Sequence, residues 1–229
     1  NAQQSAAYAA AGLLTPLGEA MHSPTNIVEM GFAALPLWPK LLSTLSGYNF
    51  FQQTGSLVVS HEQDIADYQR LTRFLANNYP NHTQQKLNRT ELSALEPELA
   101  RKFSQALYLP EEGQIGNRKL LLACQQLIDE GVKWHSESEV IAMKTDSFSA
   151  GCHIRFQTCG NSSQYQLFDL AIDCRGVGAK KSTKRNNQLS AELKDLRAVR
   201  GEIFQLFSTE VNLSRPIRLM HPRYQIYIA

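Results

Sequence analysis

Helical and strand periodicities follow one another along this chain without a regular βαβ rhythm, and that irregularity most narrows the folds open to it. Ser23 and Pro24 read as an N-cap followed by proline at the first helical position. Beyond them Val28, Phe32, Leu35, Trp38, Leu42 and Leu45 recur at three- and four-residue steps. They form the face of a helix that Pro36 and Pro39 kink and Gly47 ends. Residues 55–59 are a short β-branched run, read as a strand. Ser60 and Gln63 have capping-box spacing ahead of a helix with Ile65, Tyr68, Leu71 and Leu75 on one face. Asn88 and Glu91 repeat the signal for a short helix that Pro97 terminates. Asn117 precedes a stronger one, with Leu120, Leu121, Cys124, Leu127 and Ile128, stopped by Gly131. Strands are expected at 132–135, 139–143, 153–157, 169–174, 202–207 and 224–228, and an exposed basic loop at 180–188. The fold class is therefore α+β, built on an antiparallel sheet. The chain opens on Asn1 and stops inside a strand at Ala229, so a piece of a longer polypeptide is expected.

Several functions are excluded early. A net charge of +2, from 23 basic and 21 acidic side chains, is too small to argue for a nucleic-acid partner. No apolar run reaches the roughly 20 residues of a membrane span, and no signal-peptide pattern opens the chain. The 4 cysteines are far apart and the 6 histidines are scattered, so no metal site is expected, and a reducing, cytoplasmic setting is. Nucleophile-elbow, Walker and zinc-protease signatures are all missing, and no catalytic acid or base is assigned. Glu111 and Glu112 read as an ordinary acidic turn, and Lys180 to Arg185 as a solvated loop rather than a phosphate site. Gly176 and Gly178 admit two readings, a tight turn needing positive φ or close backbone approach to a nucleotide.

Seven short stretches then carry a resemblance in register. Residues 5–16 with Glu19 resemble the flavin-side loop of the glycine oxidase and D-amino-acid oxidase family, roughly Ser-x-Ala-Ala-Ala-Gly-Met-Leu-x-Pro. Leu13 stands where the family often has methionine, a volume-conserving change. Gln53 to Val59 resembles that family's substrate-domain strand, Leu95 to Pro97 its Leu-Glu-Pro turn, and Leu109 to Gly113 its crossover to the flavin domain. Asp173 to Gly176, Val199 to Glu202 and Tyr227 to Ala229 complete the order. The family's opening Gly-x-Gly-x-x-Gly, which holds a pyrophosphate on a helix N-terminus, is not in this sequence.

The resemblance implies an FAD-dependent oxidase that takes a hydride from the Cα–H of glycine or a D-amino acid. The products are a keto acid, ammonia and hydrogen peroxide, with oxygen as co-substrate. A sarcosine-type or tRNA-modifying amine oxidase, or a non-catalytic interaction module, are the alternatives. Implied cofactor contacts are Ala6, Ala7, Ala11, Gly12, Leu13, Val140 and Gly176, with Val140 at the adenine end through its backbone. Thr15 and Tyr227 are the implied substrate contacts. Alternation puts Tyr224, Ile226 and Ile228 on the apolar, core-facing side of the last strand and Tyr227 on the other. The domains expected are a flavin-side loop at 1–15, the substrate-binding domain at 16–109 and 189–229, and a returning flavin-domain segment at 110–188. Without its own glycine-rich turn, the chain by itself is expected to hold FAD weakly or not at all and to be inactive. An amine or amino acid, oxygen and further copies of the chain are the partners it allows.

Overall fold

Ser5 accepts the Tyr8 amide on its hydroxyl oxygen at 3.2 Å, and that cap starts one helical turn, α1 (Ala6–Ala9). The computed structural model describes residues 5–47, 49–126, 131–146, 151–180 and 196–229. After α1 come β1 (Leu13–Leu14), α2 (Thr25–Ala34), α3 (Leu37–Leu42), β2 (Phe51–Gln52) and β3 (Ser56–Ser60). A 3-10 turn then leads into α4 (Ile65–Asn78), β4 (Gln85–Asn88), α5 (Arg89–Leu95) and α6 (Pro97–Ala100). Next are β5 (Gln105–Leu109), β6 (Gly113–Ile115), α7 (Asn117–Gln126) and β7 (Ser138–Asp146). The series closes with β8 (Gly151–Thr158), β9 (Gln164–Phe168), β10 (Ile217–Met220) and β11 (Ile226–Ile228). Two compact units result, Asn1–Glu130 with Glu202–Ala229, and Gly131–Gly201.

The first unit is organised on a five-stranded sheet of order β11-β10-β3-β5-β4. All its pairings are antiparallel except β10 with β3, which run parallel, a departure from the purely antiparallel sheet expected. Every residue of the central β3 is buried, so its two faces feed two cores. On one side Val58, Leu107, Leu109 and Met220 pack with Leu17, Val28 and the α4 face of Tyr68, Leu71 and Leu75. On the other, Leu57, Val59, Ala106 and Ile217 pack with Leu87 and with Leu92 and Leu99 of α5 and α6. A smaller antiparallel sheet, β1-β6-β2, pairs Leu13 with Gln114 and Phe51 with Ile115. Gly12 enters it at φ +77°, where a Cβ would fall 1.9 Å from the Ile115 carbonyl oxygen. No other residue type fits there.

Local rules held unevenly. The Asn88 box forms: its side chain accepts the Thr90 and Glu91 amides at 2.9 and 3.0 Å, and Glu91 accepts the Asn88 amide at 2.8 Å. The Ser60 box does not, because Ser60 is committed to β3 and the following turn has no side-chain cap. Pro36 divides the expected kinked helix into α2 and α3 outright, since it has no amide to continue the ladder. Pro24, not Ser23, stands at the N-cap of α2. In α7 the buried residue is Ala123 while Cys124 is exposed; Leu127, Ile128 and residues 181–188 lie outside the described residues.

The second unit is a three-stranded antiparallel sheet, β7-β8-β9, with a bulge between Val140 and Ala142. Two strands expected in this unit, at 132–135 and 169–174, are not strands. Nor is a third expected run, 202–207 of the first unit. A strand exists only where a neighbour supplies a ladder, and Leu170 and Ile172 are 75% and 78% exposed. The ladder falls instead on β9, whose Tyr165, Leu167 and Phe168 are exposed. Asp173 and Arg175 pair at 2.7 Å, which holds the Asp173 carboxyl below its usual range. The same guanidinium donates to the Val140 carbonyl at 3.2 Å.

Candidate functional site: a charged pocket at the sheet edge

Beside β1 and the β10–β11 edge of the five-stranded sheet, the first unit holds a narrow pocket with room for about one water. Its walls include Leu13, Thr15, Glu19, Ser56, Arg218 and Tyr227. Sheet register explains why residues from both ends of the chain meet here. Arg218 lies opposite Val58 on one side and opposite Tyr227 on the other. Its position in the alternation is that of Met220, facing the first core, where an apolar residue is the rule. The arginine is 6% exposed. Its guanidinium carbon lies 5.7 Å from the centre of the Tyr227 ring, within cation–π range. Glu19 Oε1 is 4.0 Å from Arg218 Nη1, close enough for charge attraction and too far for a hydrogen bond. Burial raises the Tyr227 phenol, and the adjacent Glu19 carboxylate adds to it.

Beneath these groups lies Glu112, which is fully buried. Its carboxylate accepts the Gly18 amide at 2.8 Å and the hydroxyl of Ser56. Burial pushes its pKa to about 7, against the pull of hydrogen bonds from Ser56, Gly18 and Leu17. Gly18 and Ser56 both line the pocket, so Glu112 fixes its floor from behind. The reading of Glu111 and Glu112 as an ordinary acidic turn is thus corrected for Glu112. Glu111 does behave as a turn residue, accepting the Thr83 amide at 2.9 Å.

Thr15 and Tyr227 share this pocket with Leu13. Tyr227 faces the pocket, opposite Ile226 and Ile228, as alternation requires. The burial is reversed, however: Ile226 and Ile228 are 38% and 48% exposed and Tyr227 is the more sheltered, because β11 is an edge strand. Ala6 and Ala7 are exposed on α1, and Ala11 is half-buried. Asn117 at the start of α7 secures this segment, donating to the Ala7 carbonyl and, at 2.7 Å, to that of Ala10. Small exposed side chains leading to Leu13 at the pocket wall are compatible with a flat ring lying alongside. Val140 and Gly176 belong to the second unit. Gly176 has φ +55° with open space where a Cβ would sit, in keeping with a left-handed turn. Arg218, Ser56 and Glu112 were not foreseen. The available signal was an arginine inside the apolar run Ile217 to Met220. Among the described residues no group of histidine, cysteine or acidic side chains could hold a metal ion, and no helix is long and apolar enough to cross a membrane.

This mixed helix-and-sheet arrangement is that of FAD-dependent oxidases. Glycine oxidase from Geobacillus kaustophilus superposes with a TM-score of 0.63 at 22% identity, over 80% of this chain and 49% of that one. Glycine oxidase from Bacillus cereus ATCC 14579 gives 0.50 at 16% identity, over 66% and 41%. The family model described as FAD dependent oxidoreductase (DAO) matches residues 1–229, and the chain belongs to that family. A relative from Rhizobium etli, a putative thiamine biosynthesis oxidoreductase ThiO, is 27% identical over 219 residues, 96% of this chain and 54% of the relative. The chain thus spans about half the length of these proteins.

Proposed function

We propose that the protein containing this chain is a glycine-oxidase-like FAD enzyme. It would oxidise glycine or a D-amino acid, with oxygen and water, to the keto acid, ammonia and hydrogen peroxide. The observation that carries this is the single pocket uniting Leu13 and Thr15 with Tyr227 and a buried arginine. FAD, when bound, supplies the acceptor for the hydride from the substrate's Cα. The chain's own residues bind and orient. Ala6, Ala7, Ala11, Gly12 and Leu13 offer backbone and small side chains to the ring, and Val140 and Gly176 line the adenine side. Tyr227 donates its hydroxyl to the substrate carboxylate, and Thr15 lines the same space. Leu13 and Val58 shelter the reacting carbon from water. In this reading the substrate-binding domain spans 16–109 and 189–229, and 110–188 returns to the flavin domain.

The test is made on the whole protein: bound-flavin absorbance, then oxygen uptake with glycine, sarcosine and D-alanine. Flavin with uptake on glycine or D-alanine supports the reading. Uptake on sarcosine alone selects the sarcosine-type alternative. Protein that binds no flavin and consumes no oxygen overturns it in favour of an interaction module.

A further inference from the structure

Arg218 Nη1 and Glu19 Oε1 are both shut off from solvent, and neither has a hydrogen-bond partner. They stand 4.0 Å apart in the wall of the narrow pocket beside β11. Native folds leave few buried polar atoms unsatisfied, so each of these calls for a partner. A direct bond between them would need about 1 Å less separation. Both backbones are fixed: Arg218 lies in its ladder between β3 and β11, and the Glu19 amide closes a turn on the Thr15 carbonyl at 3.2 Å. A group that both accepts and donates would satisfy the pair without moving either. A water with legs of about 2.9 Å to each atom spans the 4.0 Å gap at an angle of about 90°, a workable bridging geometry. We propose that the pocket is a binding site for one ordered water that bridges Glu19 and Arg218.

The hydrogen-bond roles balance. Arg218 Nη1 donates to the water oxygen, and the water donates one hydrogen to Glu19 Oε1. Its second hydrogen finds acceptors in the same wall, the hydroxyls of Thr15 and Ser56. Ser56 gives its own hydrogen to Glu112 and keeps lone pairs with which to accept. The water then makes about three bonds, the usual number for a buried one, in a space of matching size. An apolar filler of the same volume would leave both charges unpaired. The bridge ties the turn at 15–19 to the β10–β11 edge, so one molecule joins segments from opposite ends of the chain. It also holds the guanidinium beside the Tyr227 ring, 5.7 Å from its centre.

The experiment is a crystal structure of the whole protein at a resolution that shows waters, together with water-oxygen magnetic relaxation dispersion, which counts long-lived buried waters in solution. A density peak is expected at about 2.6–3.2 Å from both Arg218 Nη1 and Glu19 Oε1. Glu19→Gln, whose amide oxygen still accepts, should keep that water. Glu19→Met, of similar length but with no oxygen, should lose it, and the relaxation signal should fall by one long-lived water against the wild type. The Glu19 side chain is 35% exposed, so neither replacement disturbs the core. A direct Arg218–Glu19 bond in the crystal, a gap between them with no density, or a water that survives Glu19→Met would each overturn the bridge. Flavin and substrate take no part in it, so any of these outcomes leaves the oxidase reading standing.

Discussion

Replacing Glu112 by glutamine removes a titrating proton from beneath the pocket while keeping the side chain's volume. In the unfolded chain this carboxyl ionises near 4.5, and in the folded protein burial moves it to about 7. Between those values the unfolded state has already released a proton that the folded state keeps. The stability tied to that proton is whole below 4.5 and drains away as pH rises through 7. At about 1.4 kcal/mol for each pH unit, the window corresponds to about 3 kcal/mol. Glu112→Gln has no such proton, so its stability lacks this component of the slope. Chemical denaturation of both proteins at about pH 4 and about pH 8 isolates it, since every other group is shared. The wild type's advantage over the variant should shrink by about 3 kcal/mol from the acidic to the basic condition. Two stabilities that stay a constant distance apart would refute the reasoning and mean that the Gly18 and Ser56 hydrogen bonds keep the group ionised.

Gly12→Ala should cost more than about 2 kcal/mol by thermal denaturation, through both the clash with the Ile115 carbonyl and the positive φ; an unchanged midpoint would contradict the β1–β6 register. Asn88→Ala should lose about 1 kcal/mol as α5 gives up its box, and Asn88→Asp should restore most of it, read by urea denaturation. In the whole protein, Tyr227→Phe should raise KM on the order of 10-fold with kcat little changed, the loss of one hydrogen bond to a charged group. Unaltered kinetics would assign Tyr227 to packing alone.

The sequence was most legible where a signal was local. The α4 face, the Asn88 box and the β3 run are each decided within a dozen neighbouring residues, and each stands where the periodicity put it. Strands failed where the partner decides. Leu170 and Ile172 alternate as well as any strand here, yet alternation describes a face and not a ladder. At the pocket, Thr15 and Tyr227 could be placed together by motif, but Arg218 and Glu112 could not. A charged residue in a core looks like an interruption until the fold supplies its counterpart. For Glu112 that counterpart is an amide 94 residues away.

The parallel pairing of β3 with β10 has a consequence for how the chain assembles. The Arg215 side chain reaches back to the Thr54 carbonyl over a separation of 161 residues. β3 is synthesised early, and its inner edge has nothing to pair with until β10 emerges. Closing a flexible loop of that length costs on the order of 4 kcal/mol before any contact repays it. During that interval the edge of a strand that the finished fold buries completely is open to strands of other molecules, the situation in which nascent chains aggregate. The intervening residues 131–201 form a unit of their own, so their prior collapse shortens the loop that remains to be closed. Folding of that insert ahead of β10 would protect the first unit's sheet kinetically, even though none of its described residues belongs to that sheet.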